Sequence, residues 1–166
     1  SFLKLFRPRR WYTSGSFNAY SERFAVNSER LRNMGFPTPR IRALYRLEDG
    51  SSAVHYTPLP GHTLRQVLQG ITAPEVRQAL VERFGKFMAQ LHEQGVYFRS
   101  LHLGNVVVTP DQHLGLIDVA DMRFLRPPLS ARMIRRNVQH MVRYIERENL
   151  GDRFPLAAFE AALLAR

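Results

Sequence analysis

The pattern of apolar and polar positions divides the chain into a β-containing first part and a mainly helical second part. Alternation and helical periodicity predict four elements in the first part: strands at residues 1–6, 40–47 and 52–56, and a helix at 17–34. A basic stretch at 7–11 and polar turn residues at 13–16 separate the first strand from that helix. Gly35 ends the helical pattern, because glycine commonly follows the last helical turn.

A long amphipathic helix dominates the second part of the chain. It begins near Pro74 and extends to about Gln94, with apolar residues along one face and Gly95 at its end. The remaining patterns predict a short helix at 62–69, a loop at 97–104, strands at 105–109 and 113–118, and helices at 130–148 and 155–165. This order predicts an α+β fold with a small sheet end and a larger helical end.

Composition adds limits on the chemistry. The 166 residues are enough for one globular domain, and the absence of cysteine excludes a disulfide scaffold, a thiolate metal site and a cysteine nucleophile. The formal net charge of +10 comes almost entirely from arginine, since Lys4 and Lys86 are the only lysines, and it indicates an anionic partner. The sequence has no apolar run long enough to span a membrane and no secretory signal. Because Ser1 lies within an apolar stretch, we expect a further segment upstream of it.

Asn105 and Asp118 stand at the two ends of the hairpin predicted for residues 105–118. An antiparallel hairpin folds back on itself, so these two side chains can converge. An amide oxygen and a carboxylate are hard oxygen ligands, suited to Mg²⁺ on the phosphates of a nucleotide. The spacing fits equally well an ordinary hairpin in which Asn105 caps a turn and Asp118 is exposed.

The segment from Leu91 to Ala120 resembles the catalytic core of the protein-kinase-like superfamily. Small-molecule kinases of that superfamily carry a His-Gly-Asp-Leu-His-x-Gly-Asn loop, and Leu101-His102-x-Gly104-Asn105 reproduces its second half. The phrases at 4–7, 23–27, 97–105 and 116–121 are similar to those of the bacterial lipopolysaccharide core kinase group. Within that group the chain is most similar to the short proteins of the "toluene tolerance" branch.

This resemblance implies a two-lobe kinase-like fold. It implies a truncated small β lobe at 1–57 and a helical large lobe at 58–166, with a catalytic-loop hairpin at 97–121. It also implies ATP- and Mg²⁺-dependent phosphotransfer to a hydroxyl of a lipopolysaccharide core sugar or a related acceptor. The residues that it assigns are Lys4 for the nucleotide phosphates, a glutamate of the 17–34 helix as the partner of Lys4, Thr57 and Leu59 for the nucleotide hinge, and Asn105 and Asp118 for the metal.

Composition supports the assignment of Lys4 independently. A chain with two lysines places one of them between apolar strand residues, where a compact point charge suits phosphate better than a wider guanidinium fork. The alternative is a strand lysine whose charged tip simply reaches solvent. Lys86, among polar neighbours on a helix, is interpreted as a solvated charge.

Three departures from the kinase pattern affect the functional prediction. Ser100 stands in place of the catalytic aspartate, and serine is a poor general base, so a nucleotide-binding pseudokinase or scaffold at the inner membrane is the alternative function. The chain has no glycine-rich phosphate loop, which we expect upstream of Ser1. Glu22 and Glu29 share one helical face; Glu22 is slightly favoured as the partner of Lys4, and a pair of solvated charges is the alternative.

His102 and Asp121 are the candidates to replace the missing base. For His102 the alternative is a structural histidine that ties the loop together. For Asp121 the alternative is a loop cap or an arginine partner.

Six arginines between Arg123 and Arg143 have no acidic residue among them. Since they follow the metal-binding turn of a kinase-like chain, they predict contact with an anionic acceptor, such as a phosphorylated glycolipid, or with an anionic membrane surface. A solvated helix face is the alternative. Nucleic acid is disfavoured because few aromatic residues interleave with the arginines. We therefore expect a cytoplasmic protein of a Gram-negative bacterium that contacts the inner membrane peripherally.

Overall fold

The computed structural model describes residues 1–6 and 18–165. Within these residues the strands are β1 (Phe2–Phe6), β2 (Arg40–Arg46), β3 (Ser52–Thr57), β4 (His62–Thr63), β5 (Val96–Phe98), β6 (Val106–Val108), β7 (Leu114–Leu116) and β8 (Met122–Phe124). The helices are α1 (Asn18–Asn33), α2 (Leu64–Gly70), α3 (Pro74–Glu93), α4 (Ala131–Arg147) and α5 (Leu156–Leu164). Short 3₁₀ turns occur at Val119–Asp121 and Gly151–Arg153. The α+β class is confirmed, and the predicted basic stretch at 7–11 and turn residues at 13–16 lie outside the described residues.

The chain forms two compact units. The first unit comprises Ser1–Gly61 and Thr109–Asp121, and the second comprises His62–Val108 and Met122–Arg166. The first stretch therefore ends close to the boundary predicted after residue 57. The segment Thr109–Asp121, which we expected in the large lobe, packs with the first unit.

The first unit is built on a three-stranded antiparallel sheet in the order β1-β3-β2. Helix α1 packs on it through Phe24, whose ring lies 6.4 Å from that of Phe6 and 5.5 Å from that of Tyr56. Leu31 of the same helix is fully buried, as its place in the helical period predicts. Val26 of the same helix is 61% exposed and so does not contribute to this core.

Two backbone features fix the segment Thr109–Asp121 within the first unit. The amide of Leu116 donates a hydrogen bond of 2.9 Å to the carbonyl of Pro37. Gly115 lies so close to Pro37 and Leu59 that an added Cβ would collide with both. A side chain at position 115 would therefore push the segment away from its support.

The second unit is centred on the crossing of α3 and α5. Phe84 of α3 packs against Phe159 of α5, with ring centroids 5.2 Å apart. Gly85 lets the two helices approach, because an added Cβ would meet the carbonyl of Phe159 at 2.6 Å. Val76, in the first turn of α3, is 56% exposed and so does not contribute to this core.

Two pairs of very short strands flank these helices. Strand β4 pairs with β6, and β5 pairs with β8, both antiparallel. The helix predicted at 62–69 starts only at Leu64, because Thr63 is its N-cap and forms a capping box with Gln66. The loop predicted at 97–104 overlaps strand β5, which is only three residues long and so carries too little alternation to be recognised.

Candidate functional site

The first unit holds Lys4 against a carboxylate and two aromatic rings. Its ammonium nitrogen, Nζ, lies 2.9 Å from Oδ1 of Asp118. The same atom lies 5.1 Å from the ring centroid of Phe24 and 5.4 Å from that of Phe6, within the range of a cation–π interaction. The apolar strand thus presents a half-buried cation to the carboxylate that sequence analysis assigned to the metal.

Asp118 has an unusual backbone. Its φ is 56°, in the left-handed region, which costs an ordinary side chain about 1–2 kcal/mol. The 3₁₀ turn that follows is held by the buried amide of Asn27, which donates to the carbonyls of Val119 at 2.9 Å and Ala120 at 3.4 Å. Helix α1 therefore fixes the turn that aims the Asp118 carboxylate.

The predicted helix carboxylate does not meet Lys4. Glu22 pairs with Arg46 of β2 at 3.6 Å, and both side chains are exposed. Phe24, two positions along the helix, packs against Lys4 instead. Glu29 is exposed as well. The structure therefore brings Lys4 to Asp118 and leaves Glu22 on the outer face of α1.

Tyr20 is a neighbour of this cluster that the sequence did not indicate. Burial raises the pKa of its hydroxyl, and the negative charges of Asp118 and Asp121 raise it further. Its ring also packs on Phe6, 5.6 Å away. Tyr20 therefore lies close enough to Asp118 and Asp121 for their negative charges to disfavour its ionisation.

Of the predicted hinge residues, Thr57 is the last residue of β3, and Leu59 follows two positions beyond it. The hydroxyl of Thr57 accepts a hydrogen bond of 2.9 Å from Nε of Arg42. Leu59 packs against Gly115, as described above. The structure places both in the first unit with Lys4, and their nucleotide contacts remain a prediction.

The second unit contains the kinase-like loop, which is closed by its own hydrogen bonds. The amide of Leu101 donates to the carbonyl of Phe98 at 3.2 Å, and the side-chain amide of Asn105 donates to the carbonyl of Ser100 at 3.2 Å. Leu101 and Leu103 are fully buried and anchor the loop. Asn105 is therefore held by its nitrogen, which leaves its oxygen as the ligating end of the amide.

His102 is fixed within this loop by two neighbours. Its Nδ1 accepts a hydrogen bond of 3.1 Å from the amide of Gly104, which requires that nitrogen to be unprotonated. Its ring stacks on Tyr144 of α4, with centroids 4.6 Å apart. These contacts favour the structural interpretation of His102 over a role as the replacement base.

Asn137 and His92 support the loop from behind, and the sequence did not identify either of them. The buried amide of Asn137 donates to the carbonyl of Phe98 at 2.6 Å, and its oxygen lies 3.1 Å from Nε2 of His92. Since the oxygen of Asn137 can only accept, Nε2 carries a proton, and Nδ1 is buried without a hydrogen-bond partner among residues 1–6 and 18–165. Burial lowers the pKa of His92, and the hydrogen bond to Asn137 opposes that shift. The sequence signal that could have identified them is a polar residue within the apolar face of a helix, His92 in α3 and Asn137 in α4.

The predicted metal ligands lie in different units, Asp118 in the first and Asn105 in the second. Their convergence through a hairpin therefore remains a prediction. Among residues 1–6 and 18–165, no group of three or more His, Cys, Asp or Glu side chains is arranged to hold a metal ion. Mg²⁺ on a nucleotide needs only one or two protein ligands, because phosphates and water supply the rest.

No helix within the described residues is long and apolar enough to cross a membrane.

One comparison with known proteins bears on the family, and two solved structures bear on the fold. A model of the lipopolysaccharide kinase (Kdo/WaaP) family matches residues 60–159. A structure of the bifunctional kinase-methyltransferase WbdD is similar over 97% of this chain and 39% of its own, with 18% identity and a TM-score of 0.58. A second structure of WbdD is similar over 97% of this chain and 40% of its own, with 17% identity and a TM-score of 0.57. A search of curated proteins gave no match. The protein-kinase-like fold predicted from the sequence is confirmed.

Proposed function

Because the chain belongs to the lipopolysaccharide kinase (Kdo/WaaP) family, we propose that it transfers the γ-phosphate of ATP to a hydroxyl of a lipopolysaccharide core sugar or a related acceptor. The observation that carries this proposal is the 2.9 Å ion pair of Lys4 with Asp118. It joins the one lysine suited to clamp phosphates with the carboxylate suited to hold their metal. We place the reaction in the cytoplasm, at the inner membrane.

The residues present fit a magnesium nucleotide. Asp118 offers a carboxylate that is 45% exposed, and Asn105 has its amide nitrogen engaged, so each presents an oxygen of the kind that Mg²⁺ prefers. Bound Mg²⁺ would supply positive charge to the phosphate oxygens. On nucleotide binding, Lys4 would exchange Asp118 for a phosphate oxygen, and the Asp118 carboxylate would then be free to hold the metal.

The loop residues act on the acceptor. The Ser100 hydroxyl accepts a hydrogen bond from the acceptor hydroxyl and orients it, while the His102 and Asn105 contacts keep the loop in place. The acceptor oxygen bonds to the γ-phosphorus as the bond from that phosphorus to the bridging oxygen breaks, and ADP leaves. Since phosphoryl transfer depends mainly on positioning and charge, the hydroxyl proton can pass to a phosphoryl oxygen or to water rather than to a strong base.

A second function, nucleotide binding without transfer, is favoured by two observations. Ser100 cannot act as an efficient general base, whose loss typically costs about 10²–10⁴-fold in rate. Phe24 occupies the face of α1 next to Lys4, where the kinase pattern calls for a glutamate. A pseudokinase or scaffold at the inner membrane would tolerate both changes.

Phosphate transfer from radiolabelled Mg·ATP to a lipopolysaccharide core oligosaccharide separates the two functions. For the enzyme we expect transfer by the wild-type protein and a loss of about 10²-fold or more in Ser100→Ala, if the loop serine orients the acceptor. No transfer by the wild type together with transfer by Ser100→Asp would overturn the enzyme proposal and support the pseudokinase. The absence of any shift in melting temperature with Mg·ATP would contradict both functions.

A further inference from the structure

Five arginine side chains line one cavity in the second unit. The cavity measures about 890 Å³, and its arginines are Arg99, Arg132, Arg135, Arg136 and Arg143. Tyr97, Gln139 and His140 complete the lining, which contains no carboxylate. Of the six arginines between Arg123 and Arg143, the structure therefore brings four together and adds Arg99, while Arg123 and Arg126 do not line the cavity.

The positive charge of this cavity has no counterpart within the described part of the chain. All five arginines are exposed, and none of them forms an ion pair or hydrogen bond with residues 1–6 or 18–165. Elsewhere the protein does pair arginine with acid, as Arg65 does with Glu148 at 3.3 Å. Clustered guanidinium groups repel one another and concentrate anions from solution, so the cavity is arranged for an external anion.

The cavity is fixed to the kinase-like loop. Arg99 directly precedes Ser100, and the other four arginines lie on α4. Asn137, in the middle of the same helix, is hydrogen-bonded to the carbonyl of Phe98 at 2.6 Å. An anion held by α4 is thus kept close to the residue that we propose to orient the acceptor hydroxyl.

We propose that this cavity binds a saccharide headgroup that already carries two or more phosphate groups. Each planar guanidinium group can donate two hydrogen bonds to one phosphate group. A ligand with a single negative charge could engage only one or two of the five arginines, whereas a ligand with several phosphates could engage most of them. The volume lies within the range of small-molecule sites, about 300–1,000 Å³, which suits one or two sugar rings better than a flat membrane surface. Single-stranded nucleic acid would need several exposed rings for its bases to stack on, and Tyr97, the only Phe, Trp or Tyr side chain in the lining, is buried.

This inference rests on the proposed function and specifies its acceptor: the substrate is phosphorylated before the transfer catalysed here. A separate phosphorylation must therefore come first, and the cavity makes the earlier phosphates a condition for binding. The headgroup belongs either to a free oligosaccharide or to an intact glycolipid, and comparing deacylated with acylated probes distinguishes these two sources.

Calorimetric titration without nucleotide tests the cavity apart from catalysis. The probe is a deacylated lipopolysaccharide core oligosaccharide that retains its phosphates, compared with the same oligosaccharide after chemical dephosphorylation. We expect binding that dephosphorylation abolishes. The variant Arg132→Gln/Arg136→Gln/Arg143→Gln should bind about 100-fold or more weakly, because each lost contact is a charge-assisted hydrogen bond. The matched variant Arg32→Gln/Lys86→Gln/Arg126→Gln removes the same charge from exposed positions outside the cavity and should bind as the wild type does.

Each remaining outcome has a defined meaning. Equal binding of the phosphorylated and dephosphorylated probes, or equal weakening by both triple variants, would overturn the cavity inference. If the protein fails to bind the probe but binds phosphatidylglycerol vesicles through the cavity, the inference is also overturned. The same holds if it fails to bind the probe but retains RNA at about 0.15 M salt, where exposed charges are largely screened. Much tighter binding of the acylated form would identify the glycolipid as the source. Cavity-dependent binding without phosphate transfer would leave this inference standing and contradict the proposed function.

Discussion

Lys4 and Asp118 lie 114 positions apart in the chain, and Nζ of the lysine contacts Oδ1 of the aspartate at 2.9 Å. The pair joins β1 to the end of Thr109–Asp121, which is the second stretch of the chain in the first unit. It is partly exposed, 36% at Lys4 and 45% at Asp118, so its contribution to stability is small, about 0–1 kcal/mol. The pair therefore contributes little to folding, and the proposed function gives both side chains a role in ligand binding.

Lys4→Met should therefore abolish the increase in melting temperature with Mg·ATP while lowering the free energy of unfolding by less than about 1 kcal/mol. Thermal shift and urea unfolding measure the two quantities. Lys86→Met is the matched control, because Lys86 is exposed on α3 and should leave both unchanged. A wild-type thermal shift in Lys4→Met would refute the role of Lys4 in phosphate binding.

Asn27→Ala should destabilise the protein by about 1–3 kcal/mol, since it leaves the buried carbonyl of Val119 without its donor. It should also weaken Mg·ATP binding, because the turn that aims Asp118 loses its support from α1. Urea unfolding and a nucleotide titration report the two effects. Asn33→Ala changes an exposed asparagine on the same helix and should have neither effect; equal losses in the two variants would contradict the specific role of Asn27.

Gly85→Ala should lower the free energy of unfolding by about 1–3 kcal/mol, even though alanine favours a helix over glycine by about 1 kcal/mol. The new Cβ would lie 2.6 Å from the carbonyl of Phe159 and 2.8 Å from Cβ of Ala162. Gly70→Ala, at the end of α2, meets nothing within 4 Å and should be neutral or slightly stabilising. If both variants unfold at the same urea concentration, the close approach of α3 to α5 is not what requires glycine.

The stability of the second unit should fall as the solution becomes acidic. Burial lowers the pKa of His92 in the folded state, so the unfolded chain binds a proton more readily. The stabilisation is complete above the ordinary histidine pKa of about 6.5 and is lost as the pH falls through the folded value. Protonation would also place an N–H on Nδ1, which is buried without an acceptor among residues 1–6 and 18–165.

Urea unfolding between about pH 8 and pH 5 measures this dependence. His92→Gln cannot titrate, and its stability should vary less with pH than that of the wild type. His62→Gln removes an exposed histidine outside the arginine cavity and should change the pH dependence less than His92→Gln does. Parallel slopes for the wild type and His92→Gln would show that other groups control the acid sensitivity.

Local periodicity predicted the longer elements well. Helix α3 extends from Pro74 to Glu93, against a predicted end near Gln94, and α4 extends from Ala131 to Arg147, against a predicted range of 130–148. Both have an apolar stripe over several turns and recognisable ends, and Ser130 caps α4 by accepting from the amide of Met133. Helical periodicity and capping residues depend on neighbours along the chain, so they can be recognised without knowledge of the tertiary structure.

The partners of the site residues were not predictable in the same way. Glu22 was slightly favoured over Glu29 as the partner of Lys4, but Glu22 pairs with Arg46, and the carboxylate beside Lys4 comes from Asp118. Asn27 and Asn137 look like isolated polar residues in the sequence, and their roles depend on backbone carbonyls 92 and 39 positions away. Such contacts are set by how elements pack, which spacing along the chain does not encode.

The way the first unit is assembled from two separated stretches has a consequence for the order of folding. During synthesis, Lys4, Asn27 and Pro37 emerge long before their partners in Thr109–Asp121, and the whole stretch from His62 to Val108 is made in between. Closing so long a loop is entropically costly and tends to slow folding. The sheet can pair early, but the carboxylate next to Lys4 is synthesised only after residues His62–Val108, so a nascent chain completes the cluster around Lys4 late.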